Sequence, residues 1–146
     1  MVAPKLLQTD EAEVLGANQA FYDALVELSP EKMMSCWWHD DGVSCLHPGW
    51  ELLVGWEDVL ESWRNIFNST MQMRIDISRT LVRVRGDVAW VSCLESVTSA
   101  YESGFETAVV EATNILVRRS GEWRMAHHHS TPLPDRVPSG TSKRIQ

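Results

Sequence analysis

Gly121-Glu122-Trp123-Arg124-Met125-Ala126-His127-His128-His129-Ser130-Thr131-Pro132 is the stretch that decides how this chain folds. Side chains on a β-strand alternate between faces, so it predicts Trp123, Met125, His127 and His129 on one side and Arg124, Ala126, His128 and Ser130 on the other. Both sides hold apolar groups, the mark of a strand covered on both faces. Histidines placed there must find partners or line a hydrated cavity. A pocket is therefore the first expectation.

The sequence upstream of this strand is β-rich back to Met71. Met71, Met73, Ile75 and Ile77 alternate with polar residues, and past Arg79 the apolar phase slips by one to Val82 and Val84. Such a slip predicts a β-bulge, which bends a sheet. Gly86-Asp87, Ser103-Gly104 and Ser120-Gly121 read as turns between strands of about 88–100, 105–117 and the final one, giving an antiparallel meander of long strands. Before the meander the period is helical. Thr9 caps a helix whose first turn carries Asp10, Glu11 and Glu13, and Val14, Ala17, Phe21, Leu25 and Leu28 form its apolar stripe. Ser29-Pro30 starts a short second helix carrying Met33, Met34, Trp37 and Trp38, which ends near Asp40-Asp41-Gly42. Val43 to His47 and Trp50 to Val54 form a brief strand pair. Gly55 opens a third helix, with Val59, Leu60, Trp63, Ile66 and Phe67 on its buried face. Helices first and sheet last give an α+β fold with the three helices packed on one face of the sheet.

The length of 146 residues suits one domain over 9–132, with a short arm at 1–8 and a flexible, Pro- and Gly-rich tail at 133–146. A net charge of -7 disfavours nucleic acid and anionic membrane surfaces as partners, and no apolar run is long enough to span a bilayer. Cys36, Cys45 and Cys93 are odd in number and without CxxC spacing, so they read as buried thiols in a reducing compartment. A soluble cytoplasmic protein without a cofactor is expected.

The helices, Asp40-Asp41, the His47-Pro48-Gly49 turn, Gly55-Trp56 and the closing Trp123 to Ser130 strand together resemble the nuclear transport factor 2-like superfamily, and within it the SnoaL-like branch. The last strand is also similar to that of calcium/calmodulin-dependent kinase association domains. The resemblance covers about 9–132 and implies a cone-shaped α+β barrel, in which the curved sheet wraps the helices around a pocket. It also implies a homodimer formed through the sheet's outer face.

The same resemblance assigns a site. Tyr22 falls where ketosteroid isomerases carry an oxyanion-binding tyrosine, and His47 falls close to their proton-moving aspartate. Histidine changes charge near neutral pH and suits that work. The chain departs from those isomerases in having His47 for the aspartate and Thr113 or Asn114 near the place of their second acid, so steroid isomerisation itself is not implied. The resemblance turns Ala126, His128 and Ser130 inward. Arginines that bind anions in the association domains are replaced by Glu95, Asn114 and Ser130, which argues against a carboxylate ligand. The expected cavity is mostly apolar, walled by Trp38 and Trp63, with Tyr22, His47, Glu95, Asn114, His128 and Ser130 as its polar points. Glu95 would orient or charge one of the imidazoles if it lay beside it. His127 and His129 with Glu111 would be a thin metal set, and no metal site is assigned.

The expected function is that of a small-molecule-binding protein for an apolar guest, of the isomerase, cyclase or dehydratase type that works by proton transfer, with catalysis itself left open. The alternative is a non-catalytic ligand-sensing or oligomerisation module. The scaffold alone does not choose between them.

Overall fold

The computed structural model describes residues 9–134. The expected arm over 1–8, and the tail beyond Pro134, lie outside the described residues. Helix α1, Asp10–Val26, is capped by Thr9, whose hydroxyl accepts from the amide of Ala12 at 3.1 Å. Ser29 caps α2, Pro30–Ser35, in the same way. Short strands β1, Ser44–Leu46, and β2, Leu53–Val54, precede α3, Trp56–Ser69, and the long strands β3, Gln72–Arg85, β4, Val88–Tyr101, β5, Gly104–Arg119, and β6, Glu122–Pro132, follow it.

One six-stranded sheet runs β2-β1-β6-β5-β4-β3. Its pairs are antiparallel except β1 with β6, which places Cys45 opposite His128. Ser120 and Gly121 both take positive φ, 51° and 81°, the geometry of a tight hairpin whose twist matches that of its strands. The slip foreseen in β3 is present: the register shifts between Ser78 and Leu81, and Arg79 sits at φ 55°. The curved sheet wraps α1 and α3, and Val14, Phe21, Leu25, Trp37, Val59, Trp63, Val91, Leu116 and Met125 meet in the core. Among the described residues no helix is long and apolar enough to cross a membrane.

Two expectations need correction. Helix α2 stops at Ser35, and Trp37 and Trp38 are not on a helical face. The chain there runs extended beside β6: Met125 N donates to Cys36 O at 2.7 Å and Trp38 N to Met125 O at 3.1 Å. Pairing with the sheet outweighs one more helical turn. Strict alternation along β6 also fails, because a second register shift pairs Ile115 with His127 but Leu116 with Met125. Ala126 is the extra residue of a bulge. Trp123, Met125, His128 and Ser130 are therefore buried together, whereas His129 is exposed and Ala126 and His127 are half-buried.

Candidate functional site

The interior polar residues come from five elements and the turn after β1. Tyr22 lies on α1 edge-on to Phe21, Ser62 on α3, Glu95 on β4, Asn114 on β5 and His128 on β6, and all are buried. His47 follows β1 at the turn to Trp50, whose amide donates to His47 O at 3.0 Å. Two hydrogen-bonded groups result.

In the first, Tyr22 OH donates to Glu95 Oε2 at 2.5 Å and lies 3.4 Å from Cys93 Sγ. Asn114 Nδ2 donates to Asn18 Oδ1 at 2.7 Å and to Tyr22 OH at 3.2 Å, which leaves Asn114 Oδ1 to accept from His128 Nδ1–H at 2.6 Å. In the second group, Ser62 Oγ lies 2.6 Å from Val59 O and 2.9 Å from His47 Nε2. The carbonyl has no proton to give, so the serine hydroxyl donates to it and accepts from His47 Nε2–H. Trp63 joins the two groups, with its ring 4.6 Å from that of His47 and 5.9 Å from that of His128. The imidazoles themselves are 6.5 Å apart. Phe21 supplies an apolar floor, 4.9 Å from His128.

Burial sets the protonation states. It pushes Glu95 up to about 7 against the opposing pull of the Tyr22 hydrogen bond, and pushes His47 down to about 4. His128 is held well below the ordinary histidine range by burial and then by its neighbouring imidazoles. Tyr22 is raised by burial and then by Glu95, so it stays a phenol. Burial also raises Cys93 to about 11, and Cys45 is raised for the same reason, so these thiols are protonated and unreactive. At neutral pH the interior thus holds two uncharged imidazoles and one carboxyl close to its midpoint.

The structure brings six of the eight residues singled out in the sequence into contact, Tyr22, His47, Trp63, Glu95, Asn114 and His128, and Ser130 is buried further along β6. Trp38 stands apart. Its indole donates to Val117 O at 2.8 Å, and the guanidinium groups of Arg119 and Arg124 lie 4.8 and 5.0 Å from its ring. Glu95 contacts Tyr22, and the partner of His128 is Asn114. His127 bonds Ser44 Oγ at 2.7 Å. Among the described residues no three His, Cys, Asp or Glu side chains are grouped for a metal. Two surface depressions, of about 330 and 610 Å³, lie elsewhere: over Trp123 between α1 and α2, and along β3 to β5 beside Leu133. Neither is lined by any of these eight residues. Trp50, 44% exposed, packs edge-on against buried His47.

Sequence reasoning missed Asn18 and Ser62, which hold Asn114 and His47 in place. A signal was present. Asn18 is four residues past Val14 and Ser62 three past Val59, each a small polar group on a helix's apolar stripe.

A bent six-stranded sheet wrapped over N-terminal helices is the architecture of the nuclear transport factor 2-like class of cone-shaped proteins. A family model described as the SnoaL-like domain matches residues 14–134, and the chain belongs to that family. Its structure is similar to that of a candidate dehydratase of the nuclear transport factor 2-like family from Streptomyces avermitilis, at 33% identity and TM-score 0.81, over 90% of this chain and 99% of that one. It is also similar to a candidate calcium/calmodulin-dependent protein kinase type II association domain from Thiobacillus denitrificans, at 31% identity and TM-score 0.73, over 81% and 93% of the two chains. Among curated proteins, the F-box protein SKIP8 of Arabidopsis thaliana is 27% identical over 120 residues, 82% of this chain. The chain spans about half the length of that relative, 49%.

Proposed function

We propose that this chain is a small-molecule-binding protein that transfers protons within its buried interior, with His47 as base and Glu95, held by Tyr22, as acid. The observation that carries this reading is the buried chain Glu95–Tyr22–Asn114–His128, with the Trp63 ring packed between His128 and His47; burial raises Glu95 towards neutrality and keeps His47 uncharged. Carboxyl and imidazole groups pushed apart in this way are the usual division of labour between acid and base. Tyr22 has its proton committed to Glu95, so its part is to position the acid. Around them Phe21, Trp63 and Val91 make an apolar wall, which suits an apolar guest and chemistry of the isomerase, cyclase or dehydratase type. The likeness to the Streptomyces candidate dehydratase supports that class.

A second reading, a ligand-sensing or oligomerisation module, draws on the deep burial of these polar residues and on the likeness to an association domain. Under either reading we place the protein in the cytoplasm as a homodimer. The two readings part on one assay. The expected result is that wild-type protein incorporates solvent deuterium next to the carbonyl of small cyclic ketones and hydroxyketones faster than buffer does. His47→Ala and Glu95→Gln should each slow this by about 100-fold, the usual worth of a positioned acid or base. Wild-type rates in His47→Ala would remove the proposed base, and no exchange above buffer in the wild type would decide for the module.

A further inference from the structure

The hydrogen bonds of the interior fix more than which residues meet. Ser62 spends its one proton on Val59 O, so His47 carries its proton on Nε2, and among the described residues its Nδ1 lone pair meets only the Cys45 thiol, a weak donor at 3.9 Å whose sulfur lies nearer Nε2, at 3.7 Å. Asn114 Oδ1 demands a donor from His128, so His128 carries its proton on Nδ1 and leaves the Nε2 lone pair bare. The two imidazoles are held as opposite tautomers. Neither escapes by taking up a proton, since burial keeps both neutral. On the other side of the account, Trp63 Nε1–H is buried and has no acceptor among the described residues. A buried donor without a partner costs about 1–3 kcal/mol, which makes it rare unless something else completes it.

We propose that the guest of this interior is a hydroxyl-bearing molecule, an alcohol or polyol on an apolar frame, bound among His47, His128 and Trp63. This rests on the reading of the interior as a ligand site. The argument is one of complementarity. A hydroxyl both donates and accepts, so one group gives its proton to an imidazole lone pair and takes the indole proton. A ketone satisfies only Trp63 and leaves both lone pairs facing its own. A carboxylate adds to that mismatch the repulsion of Glu95 and the loss of its hydration. An ammonium would satisfy the imidazoles but leave the indole unpaired.

Two measurements test this on the intact protein. Two-bond proton–nitrogen correlation spectra of the histidine rings at pH 7 should show His47 protonated at Nε2 and His128 at Nδ1, both neutral. The reverse tautomer at either ring overturns the inference. Binding of cyclohexanol, cyclohexanone and cyclohexanecarboxylate, followed by shifts of the same ring nitrogens, should rank the alcohol about tenfold tighter than the ketone, the equivalent of one hydrogen bond of about 1.4 kcal/mol. The carboxylate should bind more weakly still. If the ketone or carboxylate equals the alcohol, the ligand site stands and this inference falls. If none of the three moves those nitrogens, the ligand site itself falls and takes the inference with it.

Discussion

Glu95 is 5% exposed, and among the described residues its carboxyl takes a hydrogen bond from the Tyr22 hydroxyl and has no cation acting on it. Its folded pKa of about 7 lies above the 4.5 of a free glutamate, so the folded chain holds its proton more tightly than the unfolded chain does. Its contribution to stability is then complete below 4.5 and is lost as the pH rises through 7, by about 3 kcal/mol. His47 works in the opposite direction. Its pKa falls from 6.5 to about 4, so its contribution is complete above 6.5 and is lost as the pH drops through 4, again by about 3 kcal/mol. The two losses overlap between 4.5 and 6.5 and nearly cancel in the wild type, so the pH dependence should emerge in urea unfolding when one group is removed. Glu95→Gln, which keeps the shape and an acceptor for Tyr22, should match wild type at pH 4 and exceed it by up to about 3 kcal/mol at pH 8. Parallel curves for the two proteins would mean that Glu95 ionises as freely folded as unfolded. At this scale the sequence was informative about which residues meet, because Tyr22, His47, Glu95 and His128 are polar groups in otherwise apolar patterns. It was silent on who bonds to whom. Whether Glu95 reaches Tyr22 or an imidazole depends on strand register to a single residue, and no periodicity encodes that.

Two bulges do most of the shaping, and they differ in how visible they are. The one in β3 announces itself, since Ile77 and Val82 fall out of phase across Arg79. The one in β6 hides among residues whose hydropathy is ambiguous: alanine and histidine fit either face, so skipping Ala126 leaves no break in the pattern. That hidden skip decides the site, because it buries His128 beside Met125 and Ser130 and leaves His129 exposed. The helix α2 boundary escaped for a related reason, as Trp37 and Trp38 suit an apolar helix face as well as an extended segment on the sheet. Arg79, at φ 55°, adopts a left-handed conformation that costs a residue with a side chain about 1–2 kcal/mol. Arg79→Gly should stabilise the protein by about 1 kcal/mol, and Arg79→Val, whose branched side chain is worse there, should destabilise it by about as much. Urea midpoints of the two variants on the same side of wild type would show that the bulge is not held by this backbone geometry.

Across the whole molecule, the outer face of the sheet carries Leu81, exposed, and Trp90, Leu94 and Ile115, half-buried, in adjacent rows. These apolar groups sit back to back with the interior cluster. If the proposed homodimer forms there, native mass spectrometry should give twice the chain mass for wild type and a single chain mass for Leu94→Arg, with the far-ultraviolet dichroism unchanged. A wild-type monomer, or a dimer that survives the arginine, would place the contact elsewhere or remove it. The order of the sheet has a consequence of its own. β6 is the last strand among the described residues, yet it lies between β1 and β5. As the chain leaves the ribosome, two flanks wait with unpaired backbone until this strand is released, and they are open to strangers for that interval. His128 arrives on the same strand, so a truncated or stalled product has neither a closed wall nor a working interior, and quality control would read both defects as one.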